Sequence, residues 1–69
     1  MNEEVFNRDL RKFLKQFGVT AQREIEKAVG DAIRSGRLTG REKLRARARL
    51  TVDGLVDAVL ADGEIALEE

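Results

Sequence analysis

Residues 42–52 read "EKLRARARLTV", and how they are read decides the fold. Glu, Lys, Leu, Arg and Ala all favour helices, yet the apolar positions fall on every second residue. In a helix, Leu44 and Leu50 would lie about 240° apart, six steps of about 100°, so no single apolar stripe would form. In a strand, Leu44, Ala46, Ala48, Leu50 and Val52 share one face, while Arg45, Arg47, Arg49 and Thr51 share the other. A long unbroken period outweighs propensity, which tertiary context readily overrides. The reading is a strand over 44–52.

Upstream, the period changes. Val5, Phe6, Leu10, Phe13, Leu14 and Phe17 recur at three- and four-residue spacing and predict an amphipathic helix over 3–17. Asn2 suits its N-cap, Glu3 and Glu4 its first turn, and Gly18 a left-handed stop. Ala21, Ile25, Ala28, Val29, Ala32 and Ile33 predict a second helix over 21–35, capped by Thr20 and closed by Gly36. Large side chains on the first would meet small ones on the second in a helical hairpin.

Downstream, Asp53-Gly54 and Asp62-Gly63 are turn signals. Asp53-Gly54 could turn the chain into a second strand over 55–61, but Leu55, Val56, Val59 and Leu60 are spaced better for a short helix, so 54–61 reads as a short helix or turn. Residues 64–68 then return as a strand, antiparallel to 44–52 because the connection is too short for a parallel crossover. The expected fold is α+β: a single small domain with two N-terminal helices packed on a two-stranded antiparallel sheet.

The chain has 69 residues, with no cysteine, histidine, tryptophan, tyrosine or proline. A domain this small buries only about 60% of its unfolded surface and usually needs a staple. Disulfides are excluded, and metal coordination would rest on carboxylates alone. Good packing or self-association remains. The N-terminus has no secretory pattern and no apolar run is long enough to span a bilayer, so a cytoplasmic location is expected.

Formal net charge is zero, but all 13 basic residues precede Leu50 and only acids follow it. A strand bearing Glu64 and Glu68 beside one bearing Arg45, Arg47 and Arg49 would pair charges on the solvent face. The asymmetry thus has a structural explanation.

Residues 1–26 resemble a family of small uncharacterised bacterial proteins sharing "MNE.VFN" and "RKFLK..GVT.QREIE". The resemblance rests on Met1 to Asn7, Arg11 to Lys15, Gly18 to Thr20 and Gln22 to Glu26, with Asp53-Gly54-Leu55 and Gly63-Glu64-Ile65 near the end. Arg45 stands where such relatives carry proline. The resemblance implies no activity. Ile33 to Leu44 also looks like a segment of GntR-type winged-helix repressors, but the residues that should form a recognition helix, from Thr51 to Ile65, hold no base.

An enzyme is not expected. Ser35 is the only serine and has no imidazole to activate it. Glu24 and Glu26 point apart on a helix. Asp53, Asp57 and Asp62 sit where turns and caps place acids, without a calcium-binding ligand ladder. No cofactor, metal or small-molecule substrate is expected.

The sharpest candidate contacts are Arg37, Arg41, Lys43, Arg45, Arg47 and Arg49. They could meet phosphates or a partner, although no Tyr or Trp accompanies them for base stacking. The leading expectation is a non-catalytic protein-interaction module, pairing with an unidentified protein or with itself through the open strand edge. The alternative is weakly sequence-specific nucleic-acid binding by residues 34–49.

Overall fold

A single helix, α1, runs from Glu3 to Arg34 without interruption in the computed structural model, which describes all 69 residues. Asn2 caps it: the Val5 N–H donates to Asn2 Oδ1 at 3.1 Å and the Phe6 N–H to the Asn2 carbonyl at 3.0 Å. The expected pair of helices is therefore corrected to one. Gly18 does not take the left-handed conformation that a stop requires; it stays helical, with open space around it. One glycine costs about 1 kcal/mol relative to Ala, too little to end a helix with good formers on both sides. The apolar stripe also crosses the junction unbroken, since Phe17 to Ala21 is one more four-residue step.

The end of α1 is where the sequence places it. Gly36 adopts φ +82°. The Arg37 N–H reaches back to the Ala32 carbonyl at 2.9 Å and the Gly36 N–H to the Ile33 carbonyl at 3.1 Å, the paired bonds of a Schellman stop. Leu38 also donates to the Ala32 carbonyl at 3.1 Å, folding the turn over Ala32.

The chain then forms a hairpin of β1, Lys43–Val52, and β2, Val56–Ala66. They pair antiparallel from Lys43–Ala66 to Val52–Val56. Burial along β1 alternates as the period-two reading requires, with Leu44, Ala46, Ala48 and Leu50 half-buried and the arginines exposed. In the connecting turn the Leu55 N–H donates to the Val52 carbonyl at 2.9 Å, and Gly54 supplies φ +73°.

The expected short helix at 54–61 is absent, and the return strand is much longer than 64–68. A bulge explains both. Ala48 faces Ala61 but Arg49 faces Val59, leaving Leu60 as an extra residue in β2. Val56 and Ala58 share the apolar face on one side of the slip; Ala61, Gly63 and Ile65 share it on the other. The slip breaks the period of two, and the broken period mimics helical spacing.

The helix and hairpin barely meet. No Cα of α1 lies within 8 Å of a Cα of either strand. The molecule measures 51 × 22 × 19 Å with a radius of gyration of 16.0 Å, against about 11 Å for a compact chain of this length. Its accessible surface of 6412 Å² exceeds by about 2,100 Å² the area expected of a folded chain of 7.7 kDa. Only Ala32 is buried, and it is covered by its own C-terminal turn rather than by a core.

Candidate interaction surface

The six basic residues singled out from the sequence do not form one cationic site. Arg37 lies in the turn after α1, its Nε donating to Ser35 Oγ at 3.2 Å. Arg41 lies in the loop, Lys43 begins β1, and Arg45, Arg47 and Arg49 alternate along its exposed face. Two of these are engaged. Arg45 donates from Nε and Nη2 to the Asp62 carboxylate at 3.2 and 3.0 Å. Arg49 donates likewise to Asp57 at 2.7 and 2.9 Å, and this hydrogen bonding holds its guanidinium further above the ordinary arginine range. Both pairs are diagonal, because Asp62 stands opposite Arg47 and Asp57 opposite Thr51. The acidic strand thus threads carboxylates between the guanidinium groups. The pairing expected with Glu64 and Glu68 goes to Asp62 and Asp57 instead.

The loop before β1 is closed by a single carboxylate. Glu42 accepts from the backbone N–H groups of Thr39 at 2.9 Å, Gly40 at 3.0 Å and Arg41 at 3.1 Å, and from the Thr39 hydroxyl at 3.2 Å. Three successive N–H groups converging on one anion make a nest. The Thr39 N–H foremost, then Glu42's own and that of Gly40, draw the Glu42 carboxyl down to about 2, against an opposing effect of burial. This carboxylate and the Schellman turn together set the path from helix to hairpin.

No group of three or more His, Cys, Asp or Glu gathers in a way that could hold a metal ion. No helix is long and apolar enough to cross a membrane.

The largest unpartnered feature is the apolar face of α1. Phe6, Phe13 and Phe17 keep half or more of their surface exposed at 50, 52 and 50%, and Val5, Leu10, Leu14, Ile25 and Ile33 are also exposed. From the sequence these residues belonged to an internal core; the fold leaves them outside. The apolar face of the hairpin adds Leu44, Ala46, Ala48 and Leu50. Between it and the helix lies a shallow groove of about 290 Å³ lined by Ile25, Ala46, Ala48, Ala61 and Ile65 together with Arg47, Asp62, Gly63 and Glu64.

A family model matches residues 1–68, nearly the whole chain. The chain belongs to DUF6494, a family of unknown function. The resemblance seen in the N-terminal block thus extends through the hairpin. No curated protein and no solved structure shows a significant match. The family assigns no chemistry.

Proposed function

We propose that this chain is a non-catalytic interaction module whose fold is completed by association, the apolar stripe of α1 being the docking surface. One observation carries the reading: half-exposed large side chains run along the helix while a single alanine is buried in the entire chain. Fully burying a Phe or Leu side chain is worth roughly 1.5–3 kcal/mol, whereas fixing each backbone residue costs about 1–2 kcal/mol. A chain that forgoes nearly all such burial cannot offset its ordering alone. A two-stranded hairpin is likewise marginal by itself.

The sequence points first to the open strand edge as the contact. The helix stripe supports the reading better, because it is longer, apolar and continued by the apolar face of the hairpin. The basic stretch fits a solvated face, since Asp62 and Asp57 occupy two of its guanidinium groups and interleave negative charge among the rest.

Hydrogen exchange and thermal unfolding at high dilution test the proposal. The expected result is weak amide protection and no cooperative transition in the dilute chain, both gained on association. A dilute monomer with protected helix amides and a cooperative, concentration-independent transition would overturn it.

A further inference from the structure

We infer that the occupant of the stripe is a second copy of this chain, its helix antiparallel about a two-fold axis level with Val19. The inference rests on the module reading above and names its partner.

The residues of the stripe are arranged symmetrically about that position. Phe17 and Ala21 lie two residues either side of Val19, Phe13 and Ile25 six, Leu10 and Ala28 nine, and Phe6 and Ala32 thirteen. All eight fall within an arc of about 120° of the helix surface at 3.6 residues per turn, which Asn7, Leu14, Glu24 and Asp31 share. An antiparallel pair therefore sets each position of one helix at the level of its mirror position on the other, as a two-fold interface requires. At the centre of the seam Leu10 meets Ala28 and Phe17 meets Ala21, large against small. Farther out, residues on the same edge meet, so Leu14 faces the second copy's Ile25 and Phe13 its Glu24. Ile25 borders the groove that Ala46, Ala48, Ala61 and Ile65 help to form, and Leu14 of each copy would enter that groove on the other.

Helix dipoles and area agree. Antiparallel packing opposes the two dipoles. The surface that each chain exposes beyond a compact chain of its size, about 2,100 Å², leaves room for the 2,000–5,000 Å² that obligate homodimers bury. In a parallel pair, Phe would meet Phe at one end and alanine meet alanine at the other, forcing the helices apart as a wedge.

The absence of cysteine allows one label per chain. Spin labels on Arg8→Cys and, separately, Val19→Cys sit off the stripe, so the interface is left intact. In a dimer shown by sedimentation, the antiparallel register places the two Arg8→Cys labels about 33 Å apart along the axis at 1.5 Å per residue, while the Val19→Cys labels lie at one level. Equal distances at both sites would mean a parallel pair and overturn the inference. Disulfide exchange gives a second readout. Leu10→Cys mixed with Ala28→Cys should cross-link, and neither alone; cross-linking of Leu10→Cys with itself would overturn it. A chain that stays monomeric and weakly protected at millimolar concentration would overturn this inference alone, leaving the module reading with a different protein as occupant. A stably folded monomer would overturn both.

Discussion

Arg49 and Asp57 grip each other with two hydrogen bonds, 2.7 and 2.9 Å, directly beside the slip in the β1–β2 ladder. The pair spans the turn-proximal half of the hairpin, where Leu60 has no partner. It holds the register where the ladder itself is weakest. Because both groups face water, their attraction is open to screening. Asp57→Asn is expected to lower the hairpin's melting temperature slightly in dilute buffer. In about 1 M salt, where the Debye length is about 3 Å, wild type and variant should melt together. Melting of both proteins across a salt series checks this; a difference that persists at high salt would mean the carboxylate acts through packing.

Two glycines are expected to respond oppositely to the same substitution. Gly18 is helical and faces open space, so Gly18→Ala should raise stability by about 1 kcal/mol. Gly36 holds φ +82° at the Schellman stop, so Gly36→Ala should lower it by roughly 1–2 kcal/mol. Chemical denaturation of both variants measures the contrast. A loss at Gly18 would indicate that the position needs its glycine for a close approach in the assembly.

This contrast also shows what could be read from the residues alone. Gly36 was recognisable as a stop because polar and basic residues follow it and the apolar period ends there. Gly18 looked equivalent, but its period continues: Phe17, Ala21 and Ile25 remain on one face. β1 was legible because its alternation is unbroken from Leu44 to Val52. β2 was legible only as the weaker alternative after the Asp53-Gly54 turn, since the extra Leu60 shifts the phase midway and mimics a helical step. The exposed Phe stripe was read as core because apolar periodicity reports which face is buried, without saying against what. The symmetry about Val19 is the signal that could have raised a second copy; it shows only once the two helical segments are joined.

The Glu42 nest predicts an acid-sensitive loop. A carboxyl depressed in the folded state contributes stability above its unfolded value and loses it as pH falls through the folded value. Here those values are 4.5 and about 2, so the contribution is complete above pH 4.5 and disappears as the pH drops toward about 2. The amide resonances of Thr39, Gly40 and Arg41 should move together through that window. In Glu42→Gln they should already be displaced at neutral pH, and the acid-dependent step should vanish.

The stripe predicts concentration-dependent melting. Anything that binds only the folded state stabilises it by mass action, so the melting temperature of the wild type should climb from micromolar to millimolar chain. Phe17→Asp puts a charge beside the proposed axis and should abolish the climb, whereas Val19→Asp, on the outer face, should retain it. Calorimetry at several concentrations separates the two. Equal behaviour of both variants would show that the stripe is not the contact.

An uninterrupted helix of 32 residues is also a fixed length, about 48 Å at 1.5 Å per residue. Whatever holds its Phe-bearing end is kept at a set distance from the hairpin at the other. The molecule is thus less a container than a strut, and changing the number of residues between Asn2 and Ser35 would alter its span and its rotational phase together.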